Sequence, residues 1–263
     1  MIITSTHNPK IKAVAALRER RARDAARLAL VEGYEELTLA LASGAQPVDL
    51  FFCPPLFRAK EQVALLEQAQ QRGAACYEVS ERVFAKLAYR ENPDGWLGTF
   101  AFPQHSLADL RLSTTPFLII CEGVEKPGNL GAILRTADAA NADAVIACDP
   151  RTDWANPNVI RASKGALFAM QVAAATSGET LAWLRQRNIH VIVATPAAQT
   201  LYSAPNYRVG VALALGTEKE GLSSLWLENA DHAVAIPMFG KVNSLNVSAA
   251  AALLIYEVVR QRT

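Results

Sequence analysis

From residue 117 onward the chain alternates short apolar runs with segments of helical periodicity. Runs at 117–123, 144–148, 171–175, 190–195, 209–215 and 232–237 read as strands. Segments at 130–141, 157–168, 179–187, 223–229 and about 246–261 read as helices. Strands separated by helices join one sheet as parallel neighbours with helical crossovers, which commits this part of the chain to an α/β layer fold. Their nearly all-apolar character fits, because parallel sheets are covered on both faces. Ligands of such sheets sit at the carboxyl ends of strands, so the loops after the strands carry the argument about function.

The first hundred residues are also mixed α/β. Leu28–Val31, Val48–Cys53, Ala75–Val79 and Gly95–Phe102 read as strands, and Tyr34–Ala42, 58–72 and 81–88 as helices. Gly44 and Gly73 stop two helices, Pro54-Pro55 stops a strand, and Ser80 caps the third helix. Residues 103–116 are polar and bounded by prolines. They suggest a first domain over 1–105, a linker over 106–116 and a second domain over 117–263. A chain of 263 residues, 51% apolar, can bury such cores without cross-links.

Several classes are excluded early. Cys53, Cys76, Cys121 and Cys148 are widely spaced beside apolar runs and read as buried free thiols of a reducing, cytoplasmic setting. His7, His105, His190 and His232 show no metal-ligand spacing, so no metal is expected. The longest strictly apolar run, Ala249–Tyr256, is too short to cross a bilayer, and no signal peptide is expected.

Three loops stand out. The first holds Pro127-Gly128, then Asn129 in an N-cap position, then Arg135 within the helix. An ordinary helix would pair Arg135 with Asp138; the alternative is an arginine held for a phosphate or carboxylate. The second, Leu215-Gly216-Thr217-Glu218-Lys219-Glu220-Gly221, has glycines that permit close backbone approach. The third runs from Ile236 through Met238 and Gly240 to Ser244-Leu245-Asn246-Val247-Ser248. It has more small polar residues than one helix cap requires. No P-loop, no strand-following G-x-G-x-x-G and no G-x-S-x-G elbow is present.

Together and in this order, the three loops resemble the three motifs of the SpoU/TrmH family of RNA methyltransferases, in the SPOUT superfamily. Asn158–Phe168, with Arg161, Ser163, Lys164 and Gly165, resembles a segment of the ribosomal RNA members. Residues 1–105, ending in Tyr89–Phe100 with Asn92-Pro93-Asp94-Gly95, resemble the family's N-terminal RNA-binding domain, a small α/β unit similar to certain ribosomal proteins.

The resemblance implies a knotted α/β SPOUT domain with a mostly parallel sheet, acting as a homodimer. It implies S-adenosyl-L-methionine as cofactor, held by Thr195, Leu215, Gly216, Gly221, Ile236, Met238, Ser244 and Leu245. It implies methyl transfer to a ribose 2′-hydroxyl, with Arg135 as catalytic arginine and Asn129, Glu218, Ser244 and Asn246 as the other active-site positions. Ribosomal RNA of the large subunit is favoured over transfer RNA. A transfer RNA enzyme, a base methyltransferase and a non-catalytic RNA-binding protein on the same scaffold remain alternatives.

The net charge of +1 hides an asymmetry, because residues 10–27 carry seven cations against two carboxylates. This window reads as a helix packing Ile11, Val14, Ala15 and Leu17 inward, with Arg18–Arg27 solvated. Arg18, Arg20, Arg21 and Arg23, with Arg161 further on, are the expected RNA contacts, since clustered cations release counterions from phosphates.

Overall fold

The computed structural model describes residues 2–59, 63–102, 105–217 and 219–263. The chain forms two compact units, one of residues 1–103 with 153–169 and one of residues 104–152 with 170–263.

In the first unit Asn8 caps α1 (Pro9–Ala16), accepting from the Lys10 N–H at 2.9 Å. α1 turns Ile11 and Val14 inward. The chain then breaks at residues 17–19 and resumes as α2 (Arg20–Ala26), so the basic window is two short helices. β1 (Leu28–Glu32), α3 (Tyr34–Ala42), β2 (Pro47–Phe52), α4 (Ala64–Gln71), β3 (Ala75–Glu78), α5 (Glu81–Leu87) and β4 (Trp96–Ala101) follow. The sheet order is β1-β4-β2-β3, with β4 antiparallel to both neighbours and β3 parallel to β2. The helix expected over 58–72 is the shorter α4: Phe57 is extended and stacks on Trp96 at 4.3 Å, and residues 60–62 lie outside the described residues.

One of the expected RNA contacts, Arg23, is corrected here. Arg23 is 3% exposed. Its Nε and Nη2 donate to the two carboxylate oxygens of Asp153 at 3.2 and 2.6 Å, and its Nη1 donates to the Leu17 and Arg18 carbonyls. Arg18 donates to the Lys86, Leu87 and Ala88 carbonyls, closing the carboxyl end of α5. The Arg23 guanidinium is spent on the fold, on a half-buried carboxylate and two carbonyls, whereas Arg18 is exposed and commits only its Nη2 to the helix end.

The second unit comprises β5 (Phe117–Glu122), α6 (Pro127–Ala139) and β6 (Ala144–Cys148). After an excursion containing α7 (Pro157–Ala162), it continues with β7 (Gln171–Ala175), α8 (Ser177–Gln186), β8 (His190–Ala194), β9 (Thr200–Leu201), β10 (Val211–Leu215), α9 (Ser224–Glu228), β11 (His232–Ala235) and α10 (Val247–Arg262). Its sheet is parallel throughout, in the order β7-β6-β5-β10-β8-β11-β9. Leu118, Ile120, Ile146, Val191, Val193, Ala212 and Trp226 form its core. Burial pushes the Cys148 thiol up to about 12. Among the described residues no helix is long and apolar enough to cross a membrane.

Two expected boundaries differ. The linker expected over 106–116 is part of the second unit: Leu107, Leu110 and Leu112 pack on its core, and Asp143 accepts from the Ser113 and Phe117 N–H groups at 2.8 and 2.6 Å. Residues 153–169, placed by sequence in the second domain, complete the first unit. Their buried Val159, Ile160 and Leu167 need cover, and α7 lies on β1 while the 166–168 turn lies on α3. The Asp153–Arg23 pair and the rings of Phe168 and Phe100, 5.5 Å apart, fasten the segment. The helix expected over 157–168 breaks where Lys164 and Gly165 turn left-handed, at φ 55 and 83. A Cβ on Gly165 would stand 3.1 Å from the Glu36 backbone, so this close approach requires glycine.

Candidate active site

The carboxyl ends of β5, β10, β8 and β11 are adjacent in the sheet, and the three loops leave from this edge. α6 starts at Pro127 rather than 130, as a proline in the first turn favours. Asn129 is therefore inside the first turn and is not the cap. Arg135 is exposed on the same helix, and among the described residues it forms no ion pair with Asp138 or any other carboxylate.

The second loop folds back on itself. Thr217 and Gly221 exchange backbone hydrogen bonds at 3.0 and 3.2 Å, and Thr217 Oγ1 accepts from the Glu220 N–H at 3.0 Å. A Cβ on Gly216 would lie 2.1 Å from the Gly221 carbonyl carbon, so only glycine fits there. Gly221, at φ 72, has open space beside it that a side chain would fill. Glu218 lies outside the described residues.

The third loop is exposed from Phe239 to Asn246. Asn246 caps α10, accepting from Ser248 N and Oγ at 2.9 and 2.6 Å, while its Nδ2 donates to Asn129 Oδ1 at 3.2 Å. The first and third loops are thus joined side chain to side chain. Ser244 and Leu245 are exposed in this loop, and Ile236 and Met238 are half-buried. Thr195, at the end of β8, donates its N–H to the Val234 carbonyl at 2.9 Å, beside the start of that loop. Leu215, Gly216, Gly221, Ile236 and Met238 offer backbone groups and apolar surface without a charged side chain.

Of the expected RNA contacts, Arg20 and Arg21 are exposed on α2, where Arg20 pairs with Asp24 at 3.5 Å, and Arg161 is exposed on α7.

The model of the SpoU rRNA methylase family matches residues 116–256, more than half of the chain. The chain belongs to the SpoU rRNA methylase family. A second model, for an MRM3-like substrate binding domain, matches residues 8–98. The chain is 33% identical over 241 residues to the 23S rRNA (guanosine-2′-O-)-methyltransferase RlmB of Ralstonia nicotianae, covering 89% of this chain and 96% of the relative. The solved structure of an RNA 2′-O ribose methyltransferase is 42% identical, with a TM-score of 0.85, and covers 100% of this chain and 99% of the other. An AdoMet-bound rRNA methyltransferase from Sinorhizobium meliloti is 29% identical with a TM-score of 0.90, covering 99% and 97%.

In this SpoU-family chain a polar cluster outside the expected set supports the second loop. Glu122, at the end of β5, accepts from the Ser223 N–H and hydroxyl at 2.8 and 2.6 Å. Ser177 Oγ is 3.2 Å from Glu122 and donates to Asp149 at 2.6 Å, while accepting from Trp226 Nε1 at 3.0 Å. The one signal in the sequence is that Glu122 and Asp149 are carboxylates ending otherwise apolar strands.

Proposed function

We propose that this chain transfers the methyl group of S-adenosylmethionine to a ribose 2′-hydroxyl of large-subunit ribosomal RNA. The family, the relative named for 23S ribosomal RNA and the AdoMet-bound relative support this reading. The observation that carries it is the Asn246–Asn129 hydrogen bond, which brings the first and third motifs together at the edge where the Gly216–Gly221 turn stands.

Thr195, Leu215, Gly216, Gly221, Ile236, Met238, Ser244 and Leu245 hold the cofactor, which supplies an electrophilic methyl group when bound. The chain aligns the ribose oxygen with it and keeps water away. Alignment of this kind contributes up to about 7–11 kcal/mol in favourable models. A guanidinium has five donors and no acceptor, so Arg135 holds a substrate phosphate and the ribose hydroxyl by donation. Asn129, Glu218, Ser244 and Asn246 complete the polar surround. The hydroxyl proton passes to a substrate phosphate or to water, since Arg135 has no acceptor atom.

The second unit forms a knot in this reading. β11 lies between β8 and β9, which are consecutive in the chain, so residues 195–199 pass over it while α10 continues beyond and packs on α6. Leu253 and Tyr256, exposed on α10 at 42% and 50%, support pairing of two copies. The protein works where ribosomal RNA is matured, in the cytoplasm.

Calorimetry with S-adenosylmethionine, tritium transfer to 23S ribosomal RNA and digestion of the product test the function. A 2′-O-methyl nucleoside is the expected product. Label in a base, or in transfer RNA alone, overturns the assignment, as does cofactor binding without transfer to either RNA.

A further inference from the structure

The first unit carries an open surface depression of about 460 Å³. Its walls come from two distant stretches. Tyr89, Arg90 and Asn92 belong to the part that matches the substrate-binding model, and Arg161 and Lys164 to the part that matches the methylase model. The two stretches meet because residues 153–169 are packed into this unit.

On one side the Arg90 guanidinium lies 2.7 Å from Glu36 Oε1, and Glu36 is 2% exposed. The pair rests on Gly33, where a Cβ would come within 2.2 Å of Glu36 Oε2 and 2.7 Å of Arg90 Nη1. The buried carboxylate is thus matched by its own cation and does not repel an anion. At the rim Arg161 is exposed and, among the described residues, forms no ion pair. Lys164 pairs with Glu35 at 3.0 Å, but both are exposed, so that pair contributes little and exchanges readily. Tyr89 is half-buried, with its hydroxyl donating to the Pro157 carbonyl at 3.3 Å, which fixes its ring in the wall. The Asn92 amide and the exposed Glu91 carboxylate complete the lining.

A phosphate alone would not call for Glu91 or for an aromatic wall. Cations, a half-buried tyrosine and side chains that accept from N–H donors together suit a nucleotide turned out of its helix, the form in which RNA sequence is read. We infer that this depression receives one unstacked nucleotide of the substrate RNA, its phosphate on Arg161 and Lys164 and its base against Tyr89, Glu91 and Asn92. The inference rests on the ribosomal RNA reading and adds a contact separate from the methyl-transfer site and from the α2 arginines.

Binding of in vitro-transcribed 23S ribosomal RNA by the full chain tests it, with S-adenosylmethionine affinity measured in parallel. The double variant Arg161→Ala/Lys164→Ala is expected to bind RNA about tenfold more weakly, with a salt slope reduced by about 1–2. Its cofactor affinity should be unchanged. Tyr89→Leu should weaken RNA binding without changing the slope, and Arg161→Lys should restore most of the loss seen with Arg161→Ala. RNA affinity within threefold of wild type in both the double variant and Tyr89→Leu overturns the inference. A flattened slope with no effect of Tyr89→Leu also overturns it, because the site then takes a phosphate only. Wild-type protein that binds the cofactor but no 23S RNA overturns the function reading itself, a separate result.

Discussion

Glu122 and Ser223 are 101 residues apart, and the carboxylate of the first accepts both the backbone N–H and the hydroxyl of the second, at 2.8 and 2.6 Å. Ser223 stands two residues after Gly221, which ends the glycine turn, so the end of β5 anchors the far side of the proposed cofactor cradle. Glu122→Ala removes the partner of the Ser223 donors, which water can replace at this exposed position, a loss of about 0.5–1.5 kcal/mol. Cofactor affinity should fall severalfold while 23S RNA binding stays within twofold. Glu122→Gln, which keeps an acceptor oxygen, should recover part of the loss. Unchanged cofactor affinity in Glu122→Ala would remove Glu122 from this role.

Gly216→Ala places a methyl group 2.1 Å from the Gly221 backbone, and backbone cannot move aside as a side chain can. The turn must open, with an overpacking cost of about 1–3 kcal/mol. Calorimetry should show cofactor affinity reduced by about tenfold or more. Wild-type affinity would show that the turn is not part of the cradle.

Arg135→Lys keeps a cation on α6 but loses the bidentate fork. The variant should bind S-adenosylmethionine normally and lose activity by on the order of 100-fold, as when a positioned transition-state donor is removed. Single-turnover tritium transfer measures this, and near-wild-type turnover would refute the assigned role.

Arg23 and Arg21 stand two residues apart and should behave oppositely. Arg23→Ala strands the Asp153 carboxylate, which is 14% exposed, and should cost about 3 kcal/mol or more in thermal unfolding. Arg20→Ala/Arg21→Ala should leave the melting temperature nearly unchanged and lower the salt slope of 23S RNA binding. An unchanged slope would free α2 of any part in RNA contact.

Asp231 links α8 to β8, receiving Arg185 Nη1 at 2.9 Å and the Val191 N–H at 2.7 Å. Burial works to raise its pKa, but the Val191 N–H and the Arg185 guanidinium outweigh burial and hold the carboxyl below its ordinary value. A lowered folded-state value means that the stabilisation is complete above the unfolded value of about 4 and disappears as pH falls through the folded one. The melting-temperature gap between wild type and Asp231→Asn should be constant from about pH 7 to 5 and close below about pH 4. A gap that persists to about pH 2 would contradict this.

The strands were legible where an apolar run ends abruptly at polar residues, and β6 and β7 fall where the sequence places them, residue for residue. Thr200–Leu201 was not legible, because a two-residue exposed strand paired only with β11 has no pattern of its own. In the site, Asn129, Arg135 and Asn246 were readable as motif positions, but the side-chain hydrogen bond that joins Asn129 to Asn246 depends on how α6 and α10 pack. Glu122 was passed over because its partners lie 55 and 101 residues away. Counting charge likewise could not tell the buried Arg23 from the exposed Arg21, since Asp153 is 130 residues distant.

The return of residues 153–169 to the first unit also sets a timetable for synthesis. A ribosome that has delivered residue 103 has made every strand of the four-stranded sheet but not the segment that covers β1 and α3. At about 5–20 residues per second, the missing cover emerges roughly 3–13 s later. During that interval the nascent chain presents an uncovered apolar face, and the first unit closes only after β5 and β6 of the second have left the ribosome.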